Sequence, residues 1–155
     1  MCGFAGIFLF KKFNEIEFAK MQKELTFRGP DQSGNYIDLI NKIAFFHHRL
    51  SILDLSSAGK QPMESNSQRY VIAYNGEIYN HLEIRENIEK VKNIEWKGSS
   101  DTETLINSLE IIGVEKTLNI CNGVFSFALW DKKNKSLLLA RDKLGEKPLY
   151  YGFNN

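Results

Sequence analysis

Cys2 holds the position from which this chain could do the most chemistry. Removal of Met1 would leave one residue carrying both a thiol and a free α-amino group. The amine has a pKa of about 8 and the thiol about 8.5, close enough for the amine to relay the thiol's proton. Such a nucleophile needs no histidine or carboxylate partner, and no Cys–His pairing is obvious along the chain. The plainer alternative is that a free cysteine in an apolar strand is a small hydrophobe. Thiol redox chemistry would need a resolving cysteine near Cys2. The other cysteine, Cys121, lies between a helix and a strand and reads as core packing.

A nucleophile of this kind needs an amide substrate, oxyanion donors and groups that hold the substrate's charges. Asn75 offers its side-chain amide, and Gly76 its backbone N–H at a turn where no Cβ blocks approach. Arg49, at a strand end, could clamp a carboxylate in a two-pronged way. Asp101, just inside a helix start, or Glu77 could receive an ammonium group. Each has an ordinary structural alternative: a turn for Asn75-Gly76, a surface ion pair for Arg49, a helix-dipole partner for Asp101. They gain weight only as a set.

Other chemistries are excluded by charge and spacing. Twenty Lys+Arg against nineteen Asp+Glu leave a net charge of +1, which gives no reason to expect nucleic acid or an anionic membrane. Ala58-Gly59-Lys60 approaches a phosphate-binding loop, but Asp54 stands where the first glycine is needed. His47 and His48 are adjacent on a strand, so they point to opposite faces and do not make a metal site. One of them is expected in the core with one hydrogen bond, the other solvated. Two cysteines form no disulfide framework, which implies reduced thiols in a cytoplasmic protein. No stretch approaches the roughly 18 apolar residues of a transmembrane helix. The apolar start lacks the basic segment of a signal peptide.

The elements that must position these groups follow from hydrophobic periodicity and turn residues. The 155 residues are 43% hydrophobic, enough for one domain with a real core. Residues 2–10 read as a buried strand, and 15–27 as a helix with Phe18, Met21 and Leu25 on one stripe. A loop at 28–34 precedes strands at about 35–39 and 42–49, and 54–63 is irregular. Residues 70–74 form a strand ending at the Asn75-Gly76 turn. Asn80 with Glu83, and Ser100 with Glu103, are helix-capping pairs. A hairpin at 124–130 and 136–140 and a last strand at 148–153 complete an α+β order.

The residues resemble a known family over the whole chain. Met1-Cys-Gly3, Arg28-Gly-Pro-Asp-Gln-Ser-Gly34, His48-Arg-Leu-Ser-Ile-Leu-Asp54 and Gln61-Pro62 carry the resemblance. So do Tyr74-Asn-Gly-Glu-Ile-Tyr-Asn80, Ser100-Asp-Thr-Glu103, Asn122-Gly-Val-Phe-Ser-Phe-Ala128, Ala140-Arg-Asp-Lys-Leu-Gly145 and Lys147-Pro-Leu-Tyr150. The chain is similar to the N-terminal glutaminase domain of glutamine-dependent asparagine synthetases, which are class II glutamine amidotransferases. That implies an N-terminal-nucleophile hydrolase fold, a four-layer sandwich of two antiparallel sheets between helical layers. It implies Cys2 as nucleophile and Asn75 and Gly76 as oxyanion hole. Arg49, Leu50, Ser51, Ile52 and Leu53 would line the glutamine pocket, with Glu77 and Asp101 on the α-amino group.

The implied reaction is hydrolysis of glutamine to glutamate and ammonia through a thioester, without cofactor or metal. ATP and Mg would belong only to a C-terminal synthetase domain, whose pyrophosphate-binding Ser-Gly-Gly loop is absent here. The implied partners are L-glutamine, that synthetase domain and, as an option, a second copy of the chain. The nitrogen acceptor would be aspartate or, as in related enzymes, a sugar carboxylate. Phe27 departs from the family, which commonly has His before the Arg-Gly-Pro-Asp block. The family's domain continues for further strands, so the chain reads as truncated. The alternative function is a glutamine-binding module inactive without its synthetase domain.

Overall fold

The computed structural model describes residues 1–153. Its strands are β1 (Gly3–Phe8), β2 (Gln32–Asp38), β3 (Ile43–Arg49), β4 (Met63–Glu64), β5 (Tyr70–Ile78), β6 (Gly123–Asp131) and β7 (Ser136–Arg141). Its helices are α1 (Glu15–Glu24), α2 (His81–Glu89), α3 (Asp101–Ile111) and α4 (Val114–Ile120). The strands form two antiparallel sheets, ordered β1-β3-β2 and β4-β5-β6-β7.

Side-chain alternation explains how they stack. Every residue of β3 is buried because both of its faces are covered. Ile43 and Phe45 meet Val71, Ala73, Ala128 and Trp130 of the other sheet. Ala44 and Phe46 turn the other way, onto the Phe18, Met21 and Leu25 stripe of α1. The far face of the second sheet packs Ile72, Tyr74, Phe127 and Leu129 against Ile84, Leu105, Ile106 and Leu109 of α2 and α3. The order is therefore helix, sheet, sheet, helices: the four-layer α+β sandwich that the family resemblance implied.

The adjacent histidines point to opposite faces, as strand geometry requires, but both are buried. The expectation of one solvated histidine is corrected, because α1 covers the outer face of β3. His47 Nε2 bonds the Tyr74 carbonyl in the second sheet at 2.8 Å. His48 Nε2 bonds the Gln22 carbonyl of α1 at 2.9 Å. Burial lowers the His47 pKa to about 4, against the pull of its bond to Tyr74. A histidine whose pKa falls on folding stabilises above its unfolded value of about 6.5. That contribution, about 3 kcal/mol at full strength, is lost as pH falls from there through the folded value. Denaturant unfolding between neutral pH and pH of about 4 is expected to show the loss, and His47→Gln to flatten it.

Four other expectations are corrected. The Asn75-Gly76 pair is not a turn: β5 runs through it to Ile78. Glycine is required at 76 because a Cβ there would meet Phe125 Cα at 2.6 Å on the neighbouring strand. Asn80 precedes α2 but does not cap it with its side chain. Its amide instead donates to the Ile120 carbonyl and accepts from the Asn122 N–H, tying the end of α4 to the start of α2. No strand forms at 148–153, since no neighbouring strand lies there to complete a ladder. Finally, α1 ends at Glu24, and a 3₁₀ turn (Thr26–Arg28) takes the chain into the loop that packs Gly29 against His48. The Ser100 cap stands as expected, its hydroxyl accepting from Glu103 N at 3.2 Å.

Candidate active site

Cys2 sits just before β1, the edge strand of the first sheet. Its carbonyl accepts from Arg28 Nε at 3.0 Å, which fixes the backbone at the start of the chain. The thiol is half-buried and points to the Leu50 carbonyl at 3.7 Å. Burial pushes its pKa above the ordinary thiol value, while the Leu50 contact, the amino terminus and Arg49 pull it down. Cys121 is half-buried against the helix-layer core, and burial raises its thiol to about 11, consistent with packing.

The edge of β5 faces this thiol across a cleft of about 120 Å³. β4 is only two residues long and pairs with Val71 and Ile72 alone, so β5 has no strand beside it from Tyr74 onward. Alternate residues of an antiparallel strand turn their N–H and C=O to opposite edges. Gly76 pairs with Phe125, whose own N–H and C=O are bonded to Asp142 on the far side. Gly76 therefore directs its N–H to the open edge, in one row with Tyr74 and Ile78. The Tyr74 N–H donates to Gln61 Oε1 at 2.7 Å, and the Ile78 N–H to Asp101 Oδ2 at 3.0 Å. Only the Gly76 N–H of the three is left without a side-chain acceptor among the described residues.

Asn75 stands beside it on the sheet-facing side. It is 7% exposed, yet its side-chain amide makes no hydrogen bond among the described residues. An amide that lines the cleft with its donors unspent is held ready for something that enters.

The charged groups converge on the same cleft. Arg49 is buried at the end of β3, its guanidinium donating to Gln32 Oε1 at 2.9 Å, to the Ser56 carbonyl at 3.2 Å and to the Asp54 carbonyl. These bonds leave Nε and one Nη2 hydrogen without a partner among the described residues. Gly59 makes room for this packing, since any Cβ there would collide with the guanidinium. Asp54 ties the loop to α3 by accepting from Ser99 N at 2.8 Å. Asp101, the first residue of α3, reaches back under β5, and Glu77 lines the cleft beside it. Leu50, Ile52 and Leu53 complete the wall. Of the residues named from the sequence, only Ser51 lies outside. Its N–H turns away to Asp31 Oδ2 at 2.7 Å.

Sequence reasoning missed two residues here. Gln61 was read only as part of a motif, yet it caps β5 and also donates to Thr102 Oγ1 at 3.3 Å. Lys147 reaches the cleft, its Nζ 3.5 Å from Met1 Sδ. It is held there by Asp142, whose carboxylate accepts the N–H groups of Phe125, Leu144, Glu146 and Lys147. The signal was an aspartate directly before the Lys143-Leu-Gly-Glu-Lys147 loop, whose backbone donors needed an acceptor. A larger groove of about 290 Å³ lies elsewhere, between α3 and residues 92–97. It contains none of these groups.

The sequence comparisons place the chain. A family model described as a glutamine amidotransferase domain matches residues 1–155. Asparagine synthetase [glutamine-hydrolyzing] 1 of Bacillus subtilis is 38% identical over 97% of this chain and 24% of its own length. Asparagine synthetase B [glutamine-hydrolyzing] of Escherichia coli is 37% identical over 99% of this chain and 27% of its own length. The chain thus spans about a quarter of these curated relatives. Among solved structures, glutamine phosphoribosylpyrophosphate amidotransferase from B. subtilis shares the fold, with a TM-score of 0.52 and 21% identity over 65% of this chain and 23% of that one. On the match of the whole sequence to the family model, the chain belongs to the glutamine amidotransferase domain family.

Proposed function

We propose that the chain hydrolyses the side-chain amide of L-glutamine, with Cys2 as an N-terminal nucleophile. The observation that carries this is a half-buried thiol facing one cleft with an Asn75 amide and a Gly76 N–H that have no partner among the described residues. Removal of Met1 frees the Cys2 α-amino group to take the thiol proton. The thiolate attacks the amide carbon, and the oxyanion takes hydrogen bonds from Asn75 Nδ2 and Gly76 N–H. The α-amino group hands its proton to the leaving nitrogen, and ammonia departs from a γ-glutamyl thioester. Water then cleaves the thioester to glutamate and the free thiol. Arg49 holds the substrate's α-carboxylate through its remaining N–H groups, and Asp101 and Glu77 hold its ammonium. Leu50, Ile52 and Leu53 flank the aliphatic part.

The names of the relatives support a further step in a longer protein. Ammonia would pass to a C-terminal ATP-dependent synthetase domain and amidate aspartate. The ATP and Mg of that step have no role in the cleft described here. A reduced thiol at Cys2 suits the cytoplasm, and no helix among the described residues is long and apolar enough to cross a membrane.

Met1 itself lines the cleft, which favours a second reading: a chain that binds glutamine without turning it over. One experiment separates the two. Glutamate release from L-glutamine is measured on the purified chain, with intact mass read on the same sample. Release that rises in proportion to the Met-free fraction is the expected result. A folded, Met-free chain that binds glutamine and releases no glutamate would establish the binding module instead.

A further inference from the structure

We infer that Tyr74 is a positioning residue for substrate selection: its hydroxyl fixes the Asp101 carboxylate so that one oxygen faces the substrate's α-ammonium group. The inference rests on the glutamine reading of the cleft and deepens it. Tyr74 lies on β5 next to Asn75 but points the opposite way, its ring packed in the core between the second sheet and the helices. Its hydroxyl emerges from that core onto Asp101 Oδ2, donating at 2.6 Å. The Ile78 N–H donates to the same oxygen at 3.0 Å. Short bonds to an ionised acceptor are the strong ones. Two of them on one oxygen remove the freedom of the carboxylate to rotate about its terminal bond, which is otherwise broad and two-fold.

The consequence for recognition is geometric. Both protein donors fall on Oδ2, so Oδ1 is the carboxylate oxygen left to the cleft that Asp101 lines. A buried carboxylate free to turn would offer the incoming ammonium either oxygen, each with its donors lost. Held by Tyr74, it offers one oxygen with its charge already placed. The hydroxyl is buried and its proton is spent on Asp101, so its effect on the substrate is expected to pass through Asp101 to the α-amino group. It should be invisible to the chemistry at the amide end.

The test compares L-glutamine with glutaramic acid, which is glutamine without its α-amino group, on the parent and Tyr74→Phe. The expected result is a rise in KM for glutamine of about 10-fold in the variant, with kcat within about twofold. On glutaramic acid, parent and variant should agree in kcat/KM within about twofold. A double-variant cycle guards against a folding effect. In an Asp101→Asn background, Tyr74→Phe should add nothing on glutamine. Equal loss on both substrates, or the same loss in the Asp101→Asn background, would show a merely structural tyrosine and overturn the inference. So would a variant indistinguishable from the parent. If the Met-free parent binds glutamine without turnover, dissociation constants are read in place of KM and the same ratios decide. A parent that neither binds nor hydrolyses glutamine removes the glutamine reading, and the inference with it.

Discussion

Cys2→Ala is expected to lower glutamate release from L-glutamine by about 10⁴-fold or more, to the uncatalysed background. The proposed route makes and breaks a bond to this sulfur, so no neighbouring group can substitute. The other thiol, Cys121, packs against the helix-layer core and its burial keeps it protonated. Glutamine affinity should change by no more than about twofold, because Arg49, Asp101 and the Leu50–Leu53 wall are untouched. Stability should also hold, since Cys2 is half-buried and its thiol makes only the long contact to Leu50. Coupled glutamate detection and calorimetric titration with glutamine check the two halves. A variant that still releases glutamate at the parental rate would end the nucleophile hypothesis.

Asn75→Ala should produce the second largest effect, a loss of about 100–1000-fold in kcat, the usual result of removing one oxyanion donor. What marks this prediction is its companion in stability. The Asn75 side-chain amide lines the cleft and makes no hydrogen bond among the described residues, so truncation to Ala breaks none. The melting temperature is therefore expected to stay level while turnover collapses. Gln61 provides the contrast, because both ends of its amide are bonded and β5 depends on one of them. A melting temperature that fell by several degrees with Asn75→Ala would assign the amide to the fold rather than to catalysis.

Most of the architecture was legible in the chain. The Phe18, Met21 and Leu25 stripe, the apolar run of β3 and the Ser100 cap each announced their element by spacing. The clustering of the site was legible in part. Residue type suggested a nucleophile, donors and counter-charges, but only the resemblance said that they belong together. The Asn75-Gly76 pair misled, because this dipeptide usually marks a turn. Here the glycine answers a cross-strand contact with Phe125, about fifty residues away, which no local rule can see. The expectation that one of His47 and His48 is solvated fails for the same reason: the cover over His48 is α1, placed by tertiary packing. The roles of Gln61 and Tyr74 lay beyond reach, since each depends on which edge of β5 lacks a neighbour.

That bare edge has a consequence beyond catalysis. A row of unpaired strand amides ordinarily invites another chain to add as a strand, the route by which sheet proteins aggregate. The row at Tyr74, Gly76 and Ile78 does not, because Gln61 and Asp101 have taken its two outer members. A single free donor cannot template a strand, yet it suffices for one oxygen atom. The protein thus keeps an opening in its sheet that is too narrow for self-association and wide enough for an anion, and the side chains that guard the opening also define it.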